Sequence, residues 1–159
     1  MKGAIKILVA SMSGTAEMVA DEVASKLEKL TWEVEVVRMD DFSPADLKAG
    51  VYLICTSTYG TGEIPDNGKA FYDGLKSSNS DLKAVRYGVI GLGDSVYNNT
   101  FCFGGKHFDE LFLSLGAKRV GDVLQHDRRS GEYPEDAALE WLPQWLELLV
   151  QEDKECLAS

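Results

Sequence analysis

The chain has 159 residues, 45% hydrophobic and 26% charged, which fits one globular domain large enough to bury its own core. Asp and Glu number 26 against 16 Lys and Arg, a formal charge of -10, and this argues against the basic footprint that nucleic acid or an anionic membrane requires. Three scattered cysteines without a CxxC argue against a disulfide scaffold or zinc site and point to a reducing, cytoplasmic setting.

Taken in order, residues 4–10 are an apolar run broken only by Lys6, too short for a membrane span, and they are expected to form a first strand rather than a signal peptide. A Ser/Gly/Thr turn follows, and then Val19, Val23, Leu27 and Leu30 recur at helical spacing over Ala16–Leu30. A buried strand that empties into a small-residue turn and a helix N-terminus gathers backbone N–H groups around one point, which suits a phosphate. Ser11, Ser13 and Thr15 add hydroxyls, and Gly14 permits close approach. Nothing positive lies in the turn, so an anion there would be held by backbone and hydroxyls. The same run also suits a tight connection and nothing more.

Trp32–Met39 alternates and is rich in β-formers, giving a second strand, followed by a turn at Asp40–Pro44 and a short piece at Ala45–Lys48. Val51–Thr58 is a third strand with a solidly apolar middle, as sheets covered on both faces require, and Cys55 within it is expected to be a small core residue. A glycine-rich loop over residues 59–67 precedes a helix at about Gly68–Lys76, and residues 77–81 form a surface turn. Val85–Leu92 is a fourth strand, and the loop at 93–105 leads into a helix whose stripe is Phe108, Leu111, Phe112 and Leu115, with Gly116 as its C-cap. Lys118–Leu124 supplies a fifth strand, and residues 125–136 are polar. The last helix starts near Pro134–Asp136 and turns Ala138, Trp141, Leu142, Trp145, Leu146 and Leu149 inward, with Pro143 expected to kink or break it. One domain over residues 1–151, with a flexible tail at 152–159, accounts for the chain.

Strands alternating with helices predict an α/β fold with one doubly wound sheet, and such sheets take ligands beyond the carboxyl ends of their strands. The unusual loops after strands one, three and four all fall at that edge. Tyr59 and Tyr97 stand on two of them, where they would sandwich a flat ring or serve as half-buried loop anchors. A phosphorylated planar aromatic is the simplest ligand for such a cleft. Other phosphate-binding α/β motifs are missing. Gly105-Lys106 is followed by His107 and lacks the first glycine of a P-loop, and Val96 occupies the third glycine position of a dinucleotide loop. Ala10-Ser11 lacks the acidic residues of a phospho-acceptor domain, and neither Cys55 nor Cys102 is followed by the arginine of a cysteine phosphatase loop. His107 and His126 have no partners at metal-ligand spacing, and Glu17 suits the field of a helix first turn rather than a general base.

Three motifs carry a resemblance. Ser11-Met12-Ser13-Gly14-Thr15-Ala16-Glu17 resembles the phosphate loop of flavodoxins and of the FMN domains of diflavin reductases. Thr58-Tyr59-Gly60-Thr61-Gly62-Glu63, with Pro65-Asp66-Asn67, resembles their second flavin loop. Leu92-Gly93-Asp94-Ser95-Val96-Tyr97, continuing through Phe101-Cys102, Gly105-Lys106 and Phe108-Asp109, resembles their third loop and the helix behind it. Tyr133-Pro134-Glu135-Asp136 with Trp141, Trp145 and Leu149 is similar to the small single-domain bacterial flavoproteins of the MioC type.

The resemblance implies a flavodoxin-like three-layer sandwich of the short-chain type, with a five-stranded parallel sheet in the order 2-1-3-4-5. It implies noncovalent FMN. Ser11, Met12, Ser13, Gly14, Thr15 and Ala16 would hold the phosphate, and Thr56, Ser57 and Thr58 would border the phosphate and ribityl chain. Tyr59 and Tyr97 would cover the two ring faces, with Gly60, Thr61 and Gly62 beside the first and Leu92, Gly93, Asp94, Asn98, Asn99, Phe101 and Cys102 around the second. A carbonyl near Gly60 would turn to meet the semiquinone, while Glu63, Asp66 and Asp94 would disfavour the anionic hydroquinone. The implied role is a cytoplasmic, monomeric electron carrier between an NADPH-dependent flavodoxin reductase and an acceptor enzyme, both with basic docking surfaces. The alternatives are a quinone or azo reductase of the same fold, or a non-catalytic adaptor. The sequence departs from the family pattern at Ser13, where threonine is usual, and in a longer run over Asn98-Asn99-Thr100-Phe101.

Overall fold

The computed structural model describes residues 3–10, 14–57, 66–78, 81–93, 103–127 and 130–158, with backbone only at 66–67, 103–104 and 152–158. Strands β1 (Ala4–Ala10), β2 (Glu33–Arg38), β3 (Gly50–Ser57), β4 (Val85–Gly93), β5 (Lys118–Arg119) and β6 (Leu124–Asp127) pair in parallel. Helices α1 (Thr15–Lys29), α2 (Asp66–Ser78), α3 (Phe103–Ser114) and α4 (Pro134–Ala158) connect and flank them. The sheet order is β2-β1-β3-β4-β5, with β6 also on β4. This is the expected order 2-1-3-4-5, since β5 and β6 share the fifth lane.

Successive side chains of the central strands point to opposite faces, so each strand feeds two cores. Ile5, Ile7 and Val9 of β1 join Val19, Val23 and Leu27 of α1 and Leu142, Trp145 and Leu149 of α4. Leu8 and Ala10 join Phe71 and Leu75 of α2 and Phe108 and Phe112 of α3. Helices on both faces explain why β1, β3 and β4 are apolar nearly throughout, whereas the edge strand β2 alternates between exposed and half-buried residues. Lys6 keeps its place in β1 by reaching outward, its ammonium 3.7 Å from Glu35 and 5.2 Å from the Phe42 ring centroid.

Two expectations are corrected. The fifth strand is not one run over 118–124: β5 pairs with Arg86 and Tyr87, and β6 pairs with Ile90 through Gly93. From Arg119 to Leu124 the lane takes five steps while β4 takes three from Tyr87 to Ile90, so the chain bulges there. Gly121, at φ 69, accommodates the bulge, and Arg119 Nε donates to the Gly121 carbonyl at 3.0 Å. Gln125, His126 and Asp127, expected in a polar loop, continue the strand, with His126 buried between exposed Gln125 and half-buried Asp127.

Pro143 neither breaks nor ends α4. It lies on the exposed face, and the helix continues through it to Ala158, past the point where the flexible tail was expected to begin. Gly116 caps α3 as expected, with φ 98 and the Ala117 N–H donating to the Phe112 carbonyl at 3.0 Å. No helix among the described residues is long and apolar enough to cross a membrane.

Candidate functional site

Strand register decides which loops can meet. Ala10 of β1 pairs with Thr56 of β3, and Thr56 pairs with Gly91 of β4. One step further, Ser57 pairs with Leu92, and Leu92 with His126. The chain therefore leaves β1, β3 and β4 at neighbouring points of one edge, and the segments at 11–13, 58–65 and 94–102 all start there.

The N-terminus of α1 returns to this edge. Gly14 has φ 85 and ψ -5, a left-handed conformation, and provides no side-chain cap. Among the described residues, no heavy atom lies within 4 Å of the position a Cβ would take on Gly14. Its carbonyl accepts from the Met18 N–H at 3.0 Å. A helix start with hydroxyl-bearing neighbours in the sequence is a donor set that suits a phosphate.

The helix start is tied to the sheet from below. The Cys55 thiol donates to the Ala16 carbonyl at 3.3 Å, and full burial pushes that thiol up to about 12, which makes it a packing residue as expected. Thr56 is also fully buried, and its hydroxyl donates to the Ser57 carbonyl at 3.1 Å. Behind the third loop, a Cβ on Gly105 would stand 3.3 Å from the Gly91 Cα and 3.2 Å from Val89 Cγ1. The start of α3 thus presses directly on β4, holding both ends of the segment at 94–102 close together.

Of the expected site residues, Gly14, Thr15, Ala16, Thr56, Ser57, Leu92 and Gly93 come together at this edge. Leu92 turns its side chain into the core between α1, α4 and the sheet, which leaves its backbone for the edge. Ser11, Met12, Ser13, Thr58, Tyr59, Gly60, Thr61, Gly62, Asp94, Tyr97, Asn98, Asn99, Phe101 and Cys102 lie outside the described residues, as does Glu63.

A charge that the sequence reading did not place here is Arg38. It ends β2 opposite Val9, one residue short of the end of β1. Its Nε is 3.5 Å from Glu17 Oε1 in the first turn of α1 and 3.4 Å from Asp40 Oδ1. The signal available in the sequence was weak: a lone arginine closing an alternating strand, informative only once β2 is known to lie beside β1. Neither histidine sits at the carboxyl edge as a ligand pair. A ring nitrogen of His126 is 2.8 Å from the Glu132 carbonyl, and His107 packs edge-on to Tyr72 with centroids 6.3 Å apart. Among the described residues, no three His, Cys, Asp or Glu side chains are grouped to hold a metal.

With this geometry in place, the comparisons are specific. The family model described as Flavodoxin matches residues 7–141. Protein MioC of Escherichia coli (strain K12) is 38% identical over 148 residues, covering 91% of this chain and 97% of that protein. Flavodoxin YqcA of Pectobacterium carotovorum is 39% identical over 146 residues, covering 91% and 96%. Among solved structures, a cysteine-variant flavodoxin from Pseudomonas aeruginosa has a TM-score of 0.83 at 36% identity, covering 92% of this chain and 98% of that one.

Proposed function

The chain belongs to the flavodoxin family, whose members bind FMN and carry electrons, and on that premise we propose that it carries electrons from an NAD(P)H-dependent reductase to separate acceptor enzymes. The observation that carries this reading is the meeting of the β1, β3 and β4 carboxyl ends with the N-terminus of α1 at one edge. FMN, when bound, supplies one- and two-electron transfer.

The chain's own residues then divide the work. Backbone N–H groups of Gly14–Ala16, with the hydroxyls of Ser11, Ser13 and Thr15, would hold the phosphate. Thr56–Thr58 border the ribityl chain. Tyr59 and Tyr97 would cover the flavin and exclude water, with Asp94, Asn98, Asn99 and Phe101 supporting the second of them. Gly60 would let its peptide take either orientation at small cost, so its carbonyl could serve as a hydrogen-bond acceptor beside the flavin. Acidic Glu63, Asp66 and Asp94 would disfavour added negative charge on the flavin.

The charge of -10 supports partners with basic docking surfaces, met faster at low salt. A cytoplasmic monomer completes the proposal. The test couples the FMN-loaded chain to an NADPH-dependent flavodoxin reductase and follows reduction of cytochrome c. Reduction that requires reductase, FMN and this chain together, and falls steeply with salt, is the expected result. Rapid oxidation of NAD(P)H by the loaded chain alone would replace this reading with a quinone or azo reductase.

A further inference from the structure

We propose that Arg38 is a specificity-determining residue of the phosphate end: by partly offsetting the charges of Glu17 and Asp40 it sets how strongly the site prefers a phosphorylated flavin to riboflavin. The proposal rests on the reading of the α1 N-terminus as a phosphate site. Its basis is a juxtaposition across three elements. β2 delivers the guanidinium to the level of the first loop, α1 brings Glu17 in its first turn, and the 3-10 turn at Met39–Asp41 brings Asp40.

The two ion pairs, at 3.5 and 3.4 Å, join side chains that are 52%, 38% and 44% exposed for Arg38, Glu17 and Asp40. Pairs this wet contribute little to folding. Their consequence is the local field. Glu17 complements the positive end of α1, yet the same carboxylate repels any anion arriving at that end. Arg38 offsets it. Without the guanidinium, the two carboxylates near the start of α1 are left uncompensated by it, and a ligand phosphate of nearly two negative charges would meet their full field. Coulomb repulsion across several ångströms of wet surface translates one lost positive charge into about a fivefold loss of affinity. Riboflavin, which lacks the phosphate, does not register that loss.

The experiment measures dissociation constants for FMN and for riboflavin in the wild-type chain, Arg38→Gln, Arg38→Lys and Glu17→Gln, at low and at high salt. Arg38→Gln is expected to weaken FMN about fivefold and leave riboflavin unchanged, with the difference shrinking in salt. Arg38→Lys keeps the charge and the preference. Glu17→Gln moves the preference the other way, tightening FMN alone. Equal losses for both flavins in Arg38→Gln, or an unchanged FMN preference, would overturn the assignment of Arg38 while leaving the phosphate reading standing. A wild-type chain that binds riboflavin as tightly as FMN would overturn the phosphate reading and this proposal with it.

Discussion

Replacing Gly88 with alanine tests how α4 is seated on the sheet. Gly88 lies in β4 opposite Leu53, beneath the indole of Trp145. A Cβ there would stand 2.4 Å from Trp145 Nε1, 2.8 Å from Cε2 and 3.0 Å from Leu53 Cδ2. Trp145 is 1% exposed and stacks on Trp141 at 5.8 Å, so the ring has little room to move and α4 must lift. Overpacking a core site costs about 1–3 kcal/mol, and contact with rigid ring atoms places this variant near the upper end. Domains of this kind hold about 5–15 kcal/mol, so Gly88→Ala should fold with a clearly lowered urea midpoint.

Trp145→Phe supplies the second arm. It removes the indole nitrogen that the new methyl meets, a buried donor with no hydrogen-bond partner among the described residues. Alone it leaves a cavity costing about 1–2 kcal/mol, but in the double variant the alanine methyl occupies part of that space. Urea unfolding of both single variants and the double, followed by circular dichroism, should show the double at least about 1 kcal/mol more stable than the sum of the singles implies. Strictly additive losses would refute the seating of α4 described above.

Two further expectations concern the buried Cys55 thiol and the half-buried Asp109. Cys55 is neutral in the folded chain up to about 12 but ionises from its ordinary value of 9.0 once unfolded, so the unfolded state holds fewer protons between those values. Its contribution to stability is therefore complete below pH 9.0 and declines as pH rises towards about 12. Cys55→Ala should flatten that part of the pH profile, and the native Cys55 thiol should resist a thiol reagent until urea opens the fold; an identical alkaline slope in the variant would refute the assignment. Asp109 accepts from the Tyr87 hydroxyl and from Arg119 Nη1, both at 2.6 Å, tying α3 to β4 and β5. Asp109→Asn should lower stability by about 1–3 kcal/mol, read from the urea midpoint, with a loss under 0.5 kcal/mol counting against the tie.

Legibility in the sequence followed the range of the interaction. β1, β3 and β4 were readable because strands buried on both faces must be apolar throughout, and Gly116 because a helix that stops in a left-handed residue favours glycine. The fifth lane was misjudged because an edge strand needs only alternate burial. His126 between Gln125 and Asp127 satisfies that pattern while looking like a polar loop. Pro143 does not end the helix, and its place on the exposed face keeps its ring out of the core, which the helical period alone did not decide. Arg38 beside Glu17, and Trp145 over Gly88, depend on which strands and helices are neighbours in space. Neither pairing leaves a mark in local composition. For the candidate site, the start of three loops at one edge was readable from the alternation of strands and helices, but the charge of Arg38 beside it was not.

Titration of FMN with the flavin-free chain, followed by gel filtration of the mixture, addresses the flavin site itself. Flavin fluorescence should be quenched to an endpoint at equal concentrations, and the protein peak should emerge yellow with its FMN retained. A folded chain that elutes colourless, with the flavin left behind and still fluorescent, would contradict the account.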